Sequence, residues 1–194
     1  MNQQHIVPAD VDHGQPGRDV LDRYYTPDRL ARACVETLTL RPGERILEPS
    51  AGGGAFLRAL GALPIGNITA IDINPAAPAR RHHPVIEADF VDHVPERLYD
   101  WVIGNPPYGR AEDHIRHALT ISTSVAFLLR LAFLESASRR AFWAGPGNCL
   151  RSIHVLAQRP SFTGGGTDSA AYGWFVWQSS YSGPATIVPC WAWR

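Results

Sequence analysis

The feature that most constrains the fold of this 194-residue sequence is a glycine-rich turn that follows a short segment and precedes an apolar one. Arg45 to Glu48 predicts a strand, Pro49 to Gly54 predicts a tight turn, and the residues from Ala55 predict a helix. This order is typical of parallel α/β sheets, where the turn lets the backbone approach a ligand closely. We therefore expect an α/β fold with its ligand site at the carboxyl edge of the sheet.

The next predicted strand, Ile68 to Ile73, carries the acid that pairs with this turn. Asp72 lies about 20 residues after Gly52, the distance at which an acid in nucleotide-binding folds takes the ribose hydroxyls. A dinucleotide site is disfavoured, because Leu57 stands where that motif has its third glycine. The pattern favours a mononucleoside-like cofactor without a diphosphate.

Two further predicted strands also end in polar acceptors. Val85 to Phe90 contains Asp89, which could accept from an adenine amino group, and Phe90, which could pack on the purine face. The alternative is that Asp89 caps a helix or turn. The apolar run Trp101 to Ile103 leads through a glycine to Asn105. Because the carboxyl ends of parallel strands lie at one edge of the sheet, we expect Asp89 and Asn105 to lie at the same edge.

The loop Asn105-Pro106-Pro107-Tyr108 is the candidate catalytic element. Its prolines restrict the backbone and lack N–H groups, so the Asn105 side-chain oxygen and the Pro106 carbonyl form a fixed row of acceptors. Tyr108 adds a flat ring that could stack on a planar substrate. Two acceptors beside a stacking face suit an aromatic amino group such as that of adenine. The alternative is a proline-rich turn that caps a strand, with Tyr108 packing on a neighbour.

The rest of the chain predicts the remaining helices and strands of the same domain. Thr26 as N-cap and Pro27 predict a helix to about Leu38, which places Leu30 and Cys34 on one face. The remaining predicted elements are a helical region from Ala111 to about Ser138, strands from Arg151 to Gln158 and from Tyr172 to Trp177, a glycine-rich loop from Gly164 to Ala170, and a last short strand to Val188. Residues 1 to about 20 predict a flexible arm, and residues 21 to 194 predict a single domain.

Composition narrows the class of protein. The formal charge is zero and 45% of the residues are hydrophobic, which indicates neither disorder nor a strongly basic nucleic-acid-binding protein. The sequence has no Lys, so all its cations apart from His are Arg. The three cysteines lack metal-ligand spacing, and we expect no metal site. No apolar signal segment or membrane span is predicted, so we expect a cytoplasmic protein.

A cluster of basic residues follows the candidate catalytic loop. Arg110, His114, Arg116 and His117 form a candidate rim for contacting phosphate groups. The alternative is a solvated helix face without a binding role.

Taken in order, these motifs resemble the S-adenosylmethionine-dependent DNA methyltransferases that modify the amino group of adenine. The resemblance spans roughly Tyr24 to Trp177 and is most specific at Glu48 to Phe56, at Ala88 to Phe90 and at Asn105 to Tyr108. It implies a Rossmann-like class I methyltransferase fold, with a mostly parallel, doubly wound sheet and an antiparallel C-terminal edge. It also implies an enzyme that uses S-adenosylmethionine and binds DNA, with the target adenine flipped out of the helix.

The resemblance implies a role for each matching residue. Thr26 would lie near the methionine carboxylate, Asp72 would hold the ribose hydroxyls, and Asn105 to Tyr108 would hold the target base. The implied cofactor-binding residues are Thr26, Glu48, Pro49, Ala51, Gly52, Gly54, Asp72, Ile73, Asp89, Phe90 and Asn105. The implied catalytic residues are Asn105, Pro106, Pro107 and Tyr108, with Trp177 stacking on the opposite face of the base and Trp174 as second choice.

One departure from the resemblance concerns DNA specificity. Relatives that open with a Tyr-Thr-Pro segment usually carry a target-recognition domain after the catalytic domain, whereas this sequence stops at Arg194. We therefore expect low specificity or a separate specificity partner, as in small phage or prophage enzymes. The alternatives are a methyltransferase acting on RNA adenine or on a protein glutamine amide, and a catalytically silent cofactor-binding subunit. The intact loop Asn105 to Tyr108 argues against the silent subunit.

Overall fold

The computed structural model describes residues 25–162 and 169–193, which form an eight-stranded sheet covered by helices on both faces. The strands are β1 Arg45–Glu48, β2 Asn67–Asp72, β3 Ile86–Glu87, β4 Tyr99–Gly104, β5 Ser122–Arg130, β6 Leu150–Leu156, β7 Tyr172–Gln178 and β8 Thr186–Trp191. The α-helices are α1 Asp28–Glu36, α2 Ala55–Gly61, α3 Ala111–Ile121 and α4 Arg140–Ala144. The predicted arm of residues 1 to 20 lies outside the described residues, as does most of the predicted glycine-rich loop.

The sheet has the strand order β3-β2-β1-β4-β5-β7-β6-β8. Strands β1 to β5 pair in parallel, β7 is antiparallel to both β5 and β6, and β8 pairs in parallel with β6. This confirms the predicted, mostly parallel α/β sheet. Because β7 is reversed, its first residue, Tyr172, pairs with Arg130 at the carboxyl edge of β5, and its last residue, Gln178, pairs with Ser124 near the opposite edge.

Each face of the sheet packs against its own helices. On one face, Leu30 of α1 and Phe56 of α2 join a buried cluster with Trp174. On the other face, Ile115 of α3 and Phe142 of α4 pack together with Trp177. Burial of large apolar side chains on both faces supplies the main stabilising contribution to such a sheet.

The start of α1 differs from the prediction. Its N-cap is Pro27, and no side-chain hydrogen bond caps the helix. The hydroxyl of Thr26 instead accepts a hydrogen bond from the side chain of Asn105 at 3.1 Å. Thr26 therefore connects the segment before α1 to the candidate catalytic loop rather than capping the helix.

The predicted helical region from Ala111 to Ser138 is wrong beyond residue 121. Helix α3 ends at Ile121, and the following residues form the nine-residue central strand β5. A strand buried on both faces has a continuous apolar sequence, which periodicity alone does not distinguish from a buried helix. The strand that was predicted from Val85 to Phe90 is also shorter, since β3 covers only Ile86–Glu87.

In the described part of the chain, no helix combines the length and the apolar character needed to cross a membrane.

Candidate active site

A pocket of about 730 Å³, including its open mouth, lies at the carboxyl ends of β1, β2 and β4. It brings together ten residues of the predicted site: Pro49, Gly52, Asp72, Ile73, Asp89, Phe90, Asn105, Pro106, Pro107 and Tyr108. Its wall also contains Tyr25, Ser50, Asn74, Arg110 and His114. The glycine turn and the candidate catalytic loop are therefore two walls of one pocket.

The glycine turn is fixed to the end of β2 by a carboxylate. Gly52 and Gly54 both have positive φ angles, 46° and 79°, which favour glycine. The Gly52 N–H donates to Asp72 Oδ2 at 2.6 Å, and the Asn74 N–H donates to Asp72 Oδ1 at 2.8 Å. A carboxylate has about four acceptor sites, so these two bonds leave Asp72 able to accept from ligand hydroxyls.

Tyr25 closes the pocket over the same turn. A Cβ atom added at Gly52 or Gly53 would lie 3.4 Å from the Tyr25 ring, which is ordinary van der Waals contact. The ring therefore lies directly on the turn. Sequence reasoning did not single out Tyr25, because an aromatic residue just before a helix is common and carries no signal of its own.

Glu48 lies beneath the pocket rather than on its wall. Its side chain is 1% exposed, and its Oε1 accepts from the Ser50 N–H at 3.3 Å. The carboxyl group lies against Gly104, where any Cβ atom would overlap Oε1. Burial raises the pKa of Glu48 well above its usual value. Glu48 thus joins the ends of β1 and β4, immediately before Asn105.

Three other residues of the predicted cofactor site also lie off the pocket wall. Ala51 is buried against Leu57 and Ala70, and Gly54 opens α2 next to Arg58. Thr26 contacts Asn105, as described above. These three residues contact neighbours of the pocket but are not part of its wall.

Asp89 is held by an ion pair. Its Oδ2 accepts from Arg110 Nη1 at 2.8 Å, and its Oδ1 accepts from the Val91 N–H at 3.2 Å. Burial alone would raise the pKa of Asp89, but the bonds from Arg110 and Val91 outweigh it and lower the pKa overall. Asp89 both caps a short 3₁₀ turn, Phe90–Asp92, and lines the pocket.

Side chains from distant segments hold the candidate catalytic loop. Pro106 is buried, and the Asn105 amide nitrogen donates to Thr26. The guanidinium of Arg130 lies 5.0 Å from the centre of the Tyr108 ring, within cation–π range. The Tyr172 ring lies 5.6 Å from Tyr108, and its hydroxyl accepts from Arg130 Nε at 3.2 Å. Burial, followed by the neighbouring Tyr172, raises the pKa of the Tyr108 hydroxyl well above its usual value.

The prediction that Trp177 stacks on a substrate is wrong. Trp177 is 0% exposed and stacks on Phe175 within the core, while Trp174 stacks on Phe56 on the other face. The reversed direction of β7 is the cause, because the end of an antiparallel strand lies away from the carboxyl edge of its neighbours. Tyr172, which pairs with Arg130 at the carboxyl edge of β5, packs against Phe162 with their rings 5.2 Å apart.

The structure places the four residues of the predicted phosphate-contacting rim in different environments. His114 is only 3% exposed and lines the pocket, so it is not a rim residue. Arg116 forms an ion pair with Glu112 one helical turn earlier. His117 Nε2 is 2.9 Å from the carbonyl oxygen of His93. Of the four residues, Arg110 combines a partly exposed side chain with a position in the pocket wall.

Sequence comparison finds relatives that are named as Type II methyltransferases. The chain is 34% identical over 90 residues to Type II methyltransferase M.HincII of Haemophilus influenzae, and 30% identical over 134 residues to Type II methyltransferase M.TthHB8I of Thermus thermophilus. The chain is related in sequence to Type II methyltransferases. These alignments cover 46% and 64% of the chain but only 18% and 30% of the two relatives. No family model matches the chain.

Structural comparison identifies the fold. A candidate class I S-adenosylmethionine-dependent methyltransferase of Listeria monocytogenes superposes with a TM-score of 0.67 at 13% identity, covering 89% of this chain and 67% of that one. A type I restriction-modification methyltransferase subunit of Streptococcus thermophilus gives 0.61 at 15% identity, covering 82% and 46%. The 23S rRNA methyltransferase ErmE gives 0.59 at 20% identity, covering 82% and 70%. The fold is that of class I methyltransferases.

Proposed function

We propose that the protein is an S-adenosylmethionine-dependent methyltransferase that modifies the exocyclic amino group of adenine in DNA. The observation that carries this proposal is the position of the loop Asn105 to Tyr108, which shares one pocket with Gly52 and Asp72. The similarity to Type II methyltransferases supports DNA as the substrate. It also fits the cytoplasmic location expected from the sequence.

The described pocket fits a nucleoside joined to an amino acid. Asp72 offers acceptor sites for the ribose hydroxyls, and Ile73 and Phe90 offer apolar surface for a purine. The turn between Pro49 and Gly52 lines the same pocket as Tyr25, and we propose that it holds the methionine portion. When bound, the cofactor supplies an electrophilic methyl group on a sulfonium.

Asn105 and Pro106 would prepare the amino group for the transfer. An adenine amino nitrogen is a poor nucleophile, because its lone pair is conjugated with the ring. Donation of its two hydrogens to Asn105 Oδ1 and to the Pro106 carbonyl would favour tetrahedral geometry at the nitrogen and localise the lone pair. These bonds strengthen as positive charge develops on the nitrogen, so they stabilise the transition state more than the ground state. The bond between the Asn105 amide nitrogen and Thr26 orients the acceptor oxygen.

The target base would be held between aromatic side chains. Tyr108 offers one face, with its ring fixed by Arg130 and Tyr172. For the other face we propose Phe162 in place of Trp177, because its ring lies 5.2 Å from Tyr172, which in turn lies against Tyr108. Stacking contributes about 1 to 3 kcal/mol per base. This offsets the cost of extruding a base from a duplex, which is a few kcal/mol.

RNA adenine is the second candidate substrate, since an rRNA methyltransferase is among the structural neighbours. The pocket itself recognises an amino-bearing base, which both nucleic acids contain. We also propose a separate subunit that supplies sequence specificity, because a type I restriction-modification methyltransferase subunit has this fold.

Transfer of labelled methyl from S-adenosylmethionine to DNA, RNA and protein, offered in parallel, tests the proposal. We expect label in DNA, recovered as N6-methyladenine after digestion and mass spectrometry, and a rate of labelling lower by about two to three orders of magnitude with Asn105→Ala. Label in RNA alone would show that the substrate is RNA and would leave the proposed chemistry unchanged. Cofactor binding without transfer to any acceptor would favour the silent subunit.

A further inference from the structure

His114 is a buried polar side chain in the pocket wall that none of the recognised motifs includes. It lies in the first turns of α3, is 3% exposed and lines the pocket. Its ring is 5.2 Å from the ring of Phe90, at an interplanar angle of 36°. Phe90 is the residue expected to pack on the cofactor's purine, so His114 lies at the purine end of the pocket.

The hydrogen bonding of His114 fixes its tautomer. Its Nδ1 is 3.1 Å from the carbonyl oxygen of Arg110, one helical turn earlier. A carbonyl oxygen only accepts hydrogen bonds, so Nδ1 must carry a hydrogen. Burial lowers the pKa of His114 to about 4, and the ring is therefore neutral at pH 7. A neutral imidazole protonated on Nδ1 presents Nε2 as an acceptor.

Asp89 is the other candidate acceptor at this end of the pocket, and two of its roughly four acceptor sites are occupied. One of its oxygens receives Arg110 and the other receives the Val91 N–H. The same residue, Arg110, therefore pairs with Asp89 through its side chain and fixes His114 through its carbonyl oxygen.

We infer that His114 Nε2 accepts a hydrogen bond from the exocyclic amino group of the cofactor's purine, and that His114 is a specificity residue for an adenosyl over an inosyl cofactor. The inference rests on the proposed function and adds a residue to its cofactor site. An inosyl ring presents a carbonyl oxygen where adenosyl presents the amino group, so two acceptors would face each other there.

Calorimetry with S-adenosylhomocysteine and S-inosylhomocysteine tests this without any methyl transfer. The wild-type protein should bind the adenosyl compound more tightly, and His114→Leu should reduce that preference by roughly 5- to 10-fold, the scale of one lost neutral hydrogen bond. His114→Gln, which keeps an acceptor, should retain most of the preference.

His117→Leu is the matched control. His117 is on the same helix and lies 5.0 Å from the same Phe90 ring, but its Nε2 contacts the His93 carbonyl outside the pocket wall. This variant should keep the wild-type preference. If His114→Leu also keeps it, the inference is overturned, and Asp89 alone reads the amino group.

A measurement on the wild-type protein covers the case in which His114→Leu does not fold. ¹⁵N NMR should show an unprotonated Nε2 in the free protein, whose resonance shifts when S-adenosylhomocysteine binds and not when S-inosylhomocysteine binds. A protonated Nε2, or a resonance that binding leaves unchanged, overturns the inference. If neither compound binds the wild-type protein, the proposed function itself fails, which is a different outcome.

Discussion

The two halves of the pocket are held together in different ways. In the cofactor half, backbone N–H groups donate to a nearly buried carboxylate, as Gly52 and Asn74 do to Asp72. In the base half, side chains that are far apart in the sequence contact each other. Asn105 contacts Thr26, and Arg130 contacts Tyr172. The geometry of the cofactor half is therefore set mainly by the backbone. The base half depends on individual side chains, and single substitutions there should change catalysis while the chain stays folded.

The largest effect is expected at Asn105. Asn105→Ala removes one of the two acceptors proposed for the amino group, so turnover should fall by about two to three orders of magnitude. Affinity for S-adenosylhomocysteine should change little, because the cofactor half keeps its contacts. Single-turnover rates and calorimetry measure the two quantities separately. A parallel loss of both would mean that the two halves are not independent.

Gly104 lies where the two halves meet. Gly104→Ala would drive a Cβ atom into the carboxylate of Glu48, which is buried and has little room to move. Overpacking of this kind costs about 1 to 3 kcal/mol in the free energy of unfolding. Gly109→Ala is the matched control, since nothing lies within 4 Å of the added atom, and it should change stability by less than about 0.5 kcal/mol. Equal urea midpoints for the two variants would contradict the assigned contact.

Phe162 tests the base half directly. Phe162→Ala should weaken binding of the extruded adenine by about 1 to 3 kcal/mol, measured as the affinity for a duplex containing the target. Placing a mismatched base opposite the target lowers the cost of extrusion and should partly restore binding. The same mismatch should not restore turnover in Asn105→Ala. A Phe162 variant that binds both duplexes normally would exclude this ring from the base site.

The sequence places the short motifs of both halves at the pocket, and it fails where a position depends on contacts with distant segments. The turn at Gly52 and the acid at Asp72 belong to the contiguous unit of β1, α2 and β2, whose geometry follows from residues close together in sequence. Trp177 was placed wrongly because the direction of β7 in the sheet is decided by pairing with β5 and β6, not by its own residues. His114 was predicted to be exposed, because a histidine near a helix start carries no sign of the burial imposed by Phe90.

A pH titration examines the cofactor half through His114. Its pKa is lowered from 6.5 to about 4, chiefly by burial, so the unfolded chain takes up a proton at a higher pH than the folded protein. Stability is therefore fully present above pH 6.5 and falls as the pH drops toward 4, by about 2 kcal/mol at pH 5. His83, His93 and His154 also have lowered pKa values, so the quantity to measure is the difference in slope between the wild type and His114→Leu. Identical slopes would mean that the His114 side chain is exposed to water, in contradiction to its burial.

The smallest effect is expected at Thr26, and it distinguishes two roles for this residue. Thr26→Val keeps the shape of the side chain but removes the oxygen that accepts from Asn105, so kcat should fall by about 3- to 10-fold, the scale of one neutral hydrogen bond. Thr26→Ser keeps the oxygen and should retain most of the wild-type kcat. The dissociation constant for S-adenosylmethionine should stay constant in both variants if Thr26 acts by orienting Asn105. If Thr26 instead binds the methionine carboxylate, as the family resemblance implies, the valine variant should lose cofactor affinity in proportion to kcat/KM while kcat at saturating cofactor stays near the wild-type value. Thr26 would then belong to the cofactor half, and Asn105 would need another residue to orient its amide.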